Sequence, residues 1–382
     1  MSAGEQDLVS YDLTAGLSSQ NISFETFAKN IWSYIMNFYP DGPKPFFKMD
    51  IFMTLFNRTA AILEKEPSVL ELTGEVTVMG PIYGEGDSLI TLLSLVGMPP
   101  QKSFVFLGCY FGLGFGLSPL ESLMLVFCLK CLHPTKIYLL KGHLEEPASI
   151  KSLGLDDWLV RRRIPTDSVS KASDTVIRTV ASMPIAAMIG PKILCIPGGP
   201  GPIIRENGLA ALKACSRMSM NQLDRSMCME AAWTVMKLEA NPVTIDDGIP
   251  TFTESQCSAF CKANGLAVII RGRQLVNDKF LIDKPNQTFF SCNVDEGFLN
   301  YPKEVLTIVS AVAYLDNFRN YAAAMTIQGM NASFLFIRPN RQPQNNTIRR
   351  RMALEEPRRW SGAGGGRKRT ITVKGERCPQ KR

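Results

Sequence analysis

Residues 103–129 read SFVFLGCYFGLGFGLSPLESLMLVFCL, and this stretch decides the fold class. Glu121 is its only charged residue, so its length and apolarity would allow a membrane-spanning helix. Four glycines and Pro119 lie in its middle, however, and both residue types disfavour a continuous helix. We therefore predict a buried strand over residues 103–107, a glycine loop and a buried helix from Leu120.

The same alternation of short apolar runs and helical stretches extends along the chain on both sides. It predicts strands over residues 75–79, 103–107, 137–140, 192–196, 267–270, 305–309 and 333–337. It predicts helices over residues 23–39, 47–65, 87–96, 119–132, 156–163, 174–181, 208–214 and 254–264. This order is typical of an α/β architecture with mixed sheets.

Several predicted strands end directly in glycine-containing turns, at residues 80–84, 108–112, 141–143 and 197–199. The ends of strands are where α/β proteins place their functional sites. These turns carry few titratable side chains, and the whole chain has only two histidines, His133 and His143. The histidine count excludes a zinc site with three histidines and a histidine-rich binuclear centre.

The charge is unevenly distributed along the chain, whose net charge is +7. Residues 341–382 contain 13 Lys and Arg residues against 3 acidic residues, so the rest of the chain is slightly acidic. We predict a polar leader over residues 1–22, one domain over residues 23–340 and a disordered basic tail over residues 341–382. A solvated tail, a nuclear-import signal and electrostatic binding of nucleic acid are all open for the tail.

The ten cysteines are expected to be free, since the polar start of the chain does not resemble a secretory signal. We therefore expect a cytoplasmic or nuclear protein with no membrane segment. Cys128 and Cys131, like Cys257 and Cys261, have a spacing seen in zinc sites. Neither pair has a second Cys or His pair at finger-like spacing, and we favour buried thiols over zinc ligands.

Five turns, in order, resemble those of the PPP family of Ser/Thr protein phosphatases, most closely type 1. The family turns G-D-x-H-G, G-D-x-V-D-R-G, R-G-N-H-E, H-G-G and R-A-H-Q correspond to residues 80–84, 108–114, 141–145, 197–199 and 271–274. The resemblance extends from about residue 24 to Pro339 and includes the segments at residues 183–187, 310–314 and 333–339. It implies a calcineurin-like metallophosphatase fold, with two mixed β-sheets in a sandwich flanked by helices.

The resemblance also implies a site for two divalent metals, such as Mn or Fe and Zn, held by Asp, His, Asp, Asn, His and His. The six corresponding positions here are Pro81, Tyr83, Cys109, His143, Pro197 and Arg273. Proline has no side-chain ligand, and a permanently charged guanidinium repels a metal. We expect no metal and no other cofactor. A shifted register, with Glu85, Asp87 or Asp316 as ligands, is the alternative, but the family uses four histidines and this chain has two.

The catalytic positions of the family are changed as well. The general-acid histidine corresponds to Leu144 and its partner aspartate to Gly112, while the two phosphate-binding arginines correspond to Leu113 and Asp247. Tyr314 is retained, and Arg271 and Glu145 persist beside the site. We therefore predict a catalytically inactive homologue that acts as a protein-binding or scaffolding module. An active Ser/Thr phosphatase is the alternative.

Two binding modes are compatible with an inactive homologue. Type 1 phosphatases bind Val-x-Phe peptides in a groove, and the matching positions are all apolar here: Ile193, Val268, Ile282, Met330, Ala332 and Phe334. Ordinary strand residues would also be apolar at these positions. In the second mode, Arg271 and Arg273 would bind a phosphorylated protein without hydrolysing it. The alternative, which we favour, is that Arg273 fills the vacated space and pairs with Asp247 or Glu145.

Overall fold

The fold is described from a computed structural model, over residues 23–37, 47–112, 119–237, 248–274, 289–293, 304–314 and 320–337. The strands, in chain order, are β1 Val69–Leu72, β2 Val76–Met79, β3 Ser103–Phe106, β4 Ile137–Leu139, β5 Ala186–Ile189, β6 Ile193–Cys195, β7 Val235–Met236, β8 Thr251–Phe252, β9 Val268–Arg271, β10 Phe289–Asn293, β11 Val305–Thr307, β12 Ala322–Gln328 and β13 Asn331–Ile337.

The helices, in chain order, are α1 Phe24–Asn37, α2 Met49–Leu63, α3 Gly86–Val96, α4 Pro119–Leu132, α5 Pro147–Ser152, α6 Leu155–Arg161, α7 Val169–Ala181, α8 Pro202–Ala214, α9 Gln222–Trp233 and α10 Glu254–Asn264. Local signals set several of their ends. Asn221 caps α9 by accepting from the backbone N–H of Leu223, and Thr253 and Gln256 form a capping box at the start of α10.

Two mixed sheets form the centre of the fold. One has five strands in the order β1-β5-β6-β9-β11, in which only the β5–β6 pair is antiparallel. The other has six strands in the order β10-β13-β12-β2-β3-β4, with β2, β3 and β4 parallel and the other pairs antiparallel. β7 and β8 pair with each other separately.

The sheets pack face to face, and helices cover their outer faces. Within β9, Val268 and Ile270 lie in the apolar cluster between the sheets, whereas Ile269 points outward into the cluster formed with α8, α9 and α10. Within β3, Val105 faces inward, and Phe104 and Phe106 face the helices α1 to α4 and α7. Strands buried on both faces explain the continuous apolar runs in the sequence.

The stretch at residues 103–129 folds as a strand followed by a helix. β3 begins at Ser103 and α4 at Pro119, and α4 is buried from Pro119 to Cys131. Among the residues that the structure describes, no helix is long and apolar enough to cross a membrane. The α/β class, the two mixed sheets and the flanking helices are confirmed.

Every predicted strand and helix is found. The helices α4 and α10 have the predicted bounds, and the other elements begin or end a few residues from them. The largest shifts are at α7 and α8, which begin at Val169 and Pro202, before the predicted starts at residues 174 and 208. The sequence reasoning missed the elements β1, β5, β7, β8, β10, β12, α5 and α9. The predicted leader, the basic tail, Leu113, Asp247, Ile282 and Asp316 lie outside the described residues, so the statements made about them stay predictions.

Candidate functional site

The turns that follow the strands meet at one edge of the sandwich. Gly108 has a φ of +79°, and a Cβ on it would lie 2.3 Å from the backbone nitrogen of Gly142. A Cβ on Gly272 would lie 2.5 Å from Cδ of Pro81. Only glycine allows these close approaches. Gly108 therefore lets the second turn pack against the third, and Gly272 lets the fifth turn pack against the first.

Three of the six residues predicted to correspond to metal ligands have a left-handed backbone, although none of the three is glycine. Tyr83, Cys109 and Arg273 have φ values of 48°, 54° and 70°, and Ala313 beside them has 47°. Such residues are uncommon and carry backbone strain, which in proteins concentrates at functional sites. Strained backbone conformations are therefore found at residues whose side chains differ from the metal ligands of the family.

Cys109 and His143 contact each other at the centre of the site. The distance between Cys109 Sγ and His143 Nδ1 is 3.1 Å, and the two side chains are 1% and 7% exposed. Burial raises the pKa of the Cys109 thiol well above its usual value, and Glu145 adds to this effect. Burial also lowers the pKa of His143 to about 3, and the Arg273 guanidinium acts in the same direction. At neutral pH both groups are therefore uncharged, unlike a thiolate–imidazolium pair.

Glu145 connects the second and third turns through its carboxylate. Its Oε2 accepts from the backbone N–H groups of Cys109 and Gly142 at 2.7 and 2.9 Å, and its Oε1 accepts from those of Tyr110 and Phe111 at 2.8 and 3.5 Å. Burial raises the pKa of this carboxyl to about 7, while the four N–H donors act to lower it. Glu145 therefore has a structural role, and its oxygens are directed at the backbone.

Two tyrosines cover the other side of Cys109. The rings of Tyr83 and Tyr314 have centroids 4.6 Å apart, and the Tyr83 hydroxyl donates to the Arg273 carbonyl at 3.0 Å. Tyr83 and Cys109 belong to one apolar cluster with Val309 and Ala311, against which Leu144 and Tyr314 pack. Leu144, which was predicted to stand at the general-acid position, is thus part of an apolar packing surface.

Arg273 lies over an aromatic ring that the sequence motifs do not include. Its guanidinium carbon is 5.3 Å from the centroid of the Trp233 ring, and the His143 ring contacts the same indole edge-on at 5.3 Å. Arg273 Nε is buried and has no hydrogen-bond partner among the described residues. The Glu145 carboxylate instead accepts from backbone N–H groups, so its predicted pairing with Arg273 is not found among the described residues, and Asp247 lies outside them.

Arg271 is fully buried and engaged in the protein. Its guanidinium donates to the carbonyls of Gly198 and Thr234 and to the side chains of Gln274 and Thr307. These four contacts occupy much of the donor capacity of a guanidinium, which has five N–H groups. The predicted phosphate-binding role of Arg271 would require these contacts to break.

The donor set at the six positions does not fit two divalent metals. Pro81 and Pro197 offer only backbone carbonyls, which accept from the N–H groups of Ser310 and Gly272. The Tyr83 hydroxyl and the Cys109 thiol are protonated and already hydrogen-bonded, which leaves His143 as the sole ordinary ligand among these six. The described residues contain no group of three His, Cys, Asp or Glu side chains that could hold a metal ion.

The predicted docking positions that the structure describes lie together. Ile193, Val268, Ala332 and Phe334 are at most 3% exposed and belong to the cluster between the sheets. Met330, in the turn between β12 and β13, is partly exposed and packs on the same cluster. Four of the five positions are therefore core residues in this structure.

Trp233 is the site residue that sequence reasoning missed. It is the last residue of α9, a helix that the sequence patterns did not predict, and it contacts both His143 and Arg273. No glycine turn or charged neighbour marks its position. Only the packing of α9 beside the third turn brings it into the site.

Comparisons with known proteins agree with this fold. No protein-family model matches the chain. A Ser/Thr protein phosphatase from Caenorhabditis elegans is 26% identical over 293 residues, which cover 76% of this chain and 59% of that protein. The chain thus spans less than two thirds of the relative's length.

The solved structures include a Ser/Thr protein phosphatase from Saccharomyces cerevisiae, described as similar to human phosphatase PP5. It superposes with a TM-score of 0.65 at 19% identity, covering 85% of this chain and 98% of that one, and the shared fold is thereby confirmed. A cold-active protein-tyrosine phosphatase from a Shewanella species is less similar, with a TM-score of 0.44 at 14% identity over 70% of this chain and 80% of that one.

Proposed function

We propose that this chain is a catalytically inactive homologue of the PPP-family Ser/Thr protein phosphatases and that it acts by binding other proteins. The observation that carries the proposal is the contact between Cys109 and His143, in which Cys109 belongs to the apolar cluster that also contains Tyr83. Two of the six residues predicted to correspond to the family's metal ligands thus contact each other.

The chemistry of phosphate hydrolysis supports the same conclusion. Two-metal phosphatases use the ions to lower the pKa of a water and to neutralise charge on the phosphate. Among the described residues no other electrophile at this site replaces them, because Arg271 is held by four protein contacts and Arg273 is a single cation over Trp233. A general acid is also missing at the described positions, since Leu144 and Gly112 cannot donate a proton.

The inactivity is tested by assaying the purified full chain on a phosphoserine peptide with excess Mn²⁺. We expect no turnover above the background, whereas an active type 1 phosphatase prepared in the same way releases phosphate. A trace of activity is checked with His143→Ala. Activity that survives this change comes from a contaminant, and activity that the change removes would contradict the proposal.

We also propose that partners carry the Val-x-Phe core that docks on type 1 phosphatases. Four of the five described positions are buried between the sheets, so the support is Met330, which is partly exposed and packs on their apolar cluster. Because Met330 is the partly exposed member, the first apolar side chain of a peptide would contact the protein there. A phosphorylated protein that binds at Arg273 is the alternative partner.

Docking is tested by fluorescence anisotropy with a labelled Val-x-Phe peptide and a control peptide in which both apolar residues are alanine. We expect saturable binding of the first peptide only, and weaker binding to Met330→Asp. The matched control is Gln328→Glu, which places a negative charge on an exposed side chain two residues earlier and should leave the affinity unchanged. Equal signals from the two peptides would reject this docking mode.

A further inference from the structure

Two cysteines face each other where α8 meets α9, away from the turns of the candidate site. Cys215 directly follows α8, and Cys228 lies within α9. Their sulfur atoms are 3.7 Å apart, and both thiols are free. The pair joins two helices that pack on each other and on the five-stranded sheet.

The geometry is close to that of a disulfide. A disulfide has a sulfur–sulfur distance of about 2 Å, so the two atoms need to approach by less than about 2 Å. Cys215 caps the end of its helix, where the backbone is extended with a ψ of 136° rather than helical. A residue at the end of a helix can adjust its side chain more easily than one within a helix, and Cys215 provides that freedom.

The two thiols differ in a way that suits a two-step oxidation. Cys228 is partly exposed, and the hydrogen bond from the Cys215 thiol lowers its pKa, with the Lys141 ammonium acting in the same direction. Cys215 is only 4% exposed and has a raised pKa, and its thiol also contacts the carbonyl of Asp224 at 3.5 Å. Thiolates are the reactive form of cysteine, so Cys228 is the more reactive of the two.

We propose that Cys215 and Cys228 are a modification site at which a hydroperoxide forms an intramolecular disulfide. The Cys228 thiolate attacks hydrogen peroxide, the O–O bond breaks, and Cys228 becomes a sulfenic acid as the released hydroxide takes up a proton to form water. The Cys215 sulfur then attacks the Cys228 sulfur, the S–O bond breaks, and the hydroxyl leaves with the Cys215 proton as a second water. Two thiols are oxidised and one peroxide is reduced.

In the other close cysteine pairs within the described part of the chain, both residues are buried. Cys257 and Cys261 are both buried within α10, and both thiols point to the carbonyl of Glu304 at 3.7 and 3.8 Å. Cys128 and Cys131 are buried within α4. Burial hinders access by an oxidant, so these pairs provide internal controls.

A disulfide at this site would fix α9 to the end of α8. Trp233, the last residue of α9, packs on His143 and Arg273, so the modification lies on the helix that borders the candidate site. The proposal does not depend on whether the chain is catalytically active. Its test uses the chemical state of the cysteines alone.

The test is non-reducing peptide mapping of the folded full chain. The reduced protein is treated with a small excess of hydrogen peroxide, alkylated, digested and analysed by mass spectrometry before and after reduction. We expect most of Cys228 in a peptide linked to Cys215, and we expect dithiothreitol to release it. Cys257 and Cys261 should be recovered as free thiols after unfolding.

Variants separate the two steps. Cys215→Ser should leave Cys228 as a sulfenic acid that dimedone traps, and Cys228→Ser should abolish the linked peptide. Cys261→Ser is the matched control and should keep it. The proposal is overturned if the wild-type chain yields Cys228 as unmodified thiol, or only as sulfinic or sulfonic acid, with no link to Cys215.

Discussion

Single residues at the candidate site combine a strained backbone with side chains that fit one another. Tyr83, Cys109 and Arg273 keep positive φ values, which cost about 1–3 kcal/mol each for residues other than glycine. The surrounding contacts must offset this cost: Tyr83 packs on Tyr314, Cys109 contacts His143, and Arg273 lies over Trp233. These residues are therefore expected to matter more for stability than for chemistry.

His143 should make the stability of the fold depend on pH. Its pKa is about 3 in the folded chain against 6.5 for an ordinary histidine, so between these values the unfolded state binds a proton that the folded state does not. The free energy of unfolding should therefore fall as the pH is lowered through this window, by up to about 1.4 kcal/mol per pH unit. Above pH 6.5 this contribution is absent, because both states are neutral.

The comparison of wild type with His143→Asn isolates this effect. Denaturant unfolding at several pH values between about 4 and 7 should show a shallower pH dependence for the variant, whatever its stability at neutral pH. Other titrating groups contribute equally to both proteins and cancel in the difference. Identical pH profiles would mean that His143 is not buried as a neutral side chain.

Glu145 should be essential for the turns, and Glu146 should not. Glu145→Ala leaves four backbone N–H groups without their acceptor, and an unsatisfied buried donor costs about 1–3 kcal/mol. We expect a loss of at least about 3 kcal/mol in the free energy of unfolding. Glu146→Ala removes only a partly exposed ion pair with Lys141 and should cost about 0–1 kcal/mol. Similar losses in the two variants, measured by denaturant unfolding, would refute the bridging role.

The sequence could predict part of this site. The glycine turns aligned Cys109 and His143 as the two remaining ligand-type residues, and the structure brings them into contact. The turns could not predict Trp233, since its approach depends on the packing of α9, nor the contacts of Arg271, whose partners come from separate turns and strands. Contacts between distant segments leave no local pattern in the sequence.

At the scale of elements, α4 shows how an apolar helix accommodates charge. Glu121 and Arg162 form an ion pair in which both side chains are at most 2% exposed, with a second hydrogen bond of 3.2 Å. Lys130 pairs with Glu66 and donates to the carbonyls of Pro134 and Ile137. A buried charge is tolerated only with such partners, so these contacts position α4 against its neighbours.

The Glu121–Arg162 pair should respond differently to single and double substitution. Arg162→Met alone leaves a buried carboxylate without its partner and should cost about 3–5 kcal/mol. Combining it with Glu121→Leu should recover most of that loss, because two apolar side chains of similar size can replace a buried ion pair. A double variant as unstable as the single one, measured by urea unfolding, would show that the pair has another role.

The sequence patterns predicted the strands whose apolar side chains match the burial that they have in the fold. β3 and β9 have continuous apolar runs, and both are buried on two faces. β12 was missed because its sequence AAAMTIQ begins with three alanines, which have low strand propensity. Hydrogen bonds to β13 and β2 keep β12 in the sheet. β2 is distant in the sequence, so no local pattern indicates this pairing.

At the scale of the whole molecule, direct protein contacts join the two sheets and the turns at their edge. The two sheets share a continuous apolar cluster, and the converging turns are joined by Glu145 and by direct backbone contacts. A ligand that binds only the folded state stabilises it. Prolonged dialysis against a chelator should therefore leave the melting temperature unchanged, whereas that of an active type 1 phosphatase should fall. A lower melting temperature that Mn²⁺ restores would indicate a native metal site.

The central claim, that the metal positions are filled by protein side chains, is tested most directly by elemental analysis. The full chain is purified without chelator, with an active type 1 phosphatase purified in parallel, and Mn, Fe and Zn are measured per chain. The account predicts less than about a tenth of an equivalent in total, against about two in the control. Close to two equivalents in this chain would contradict it, because Pro81, Tyr83, Cys109, His143, Pro197 and Arg273 could not then be the residues at the metal site.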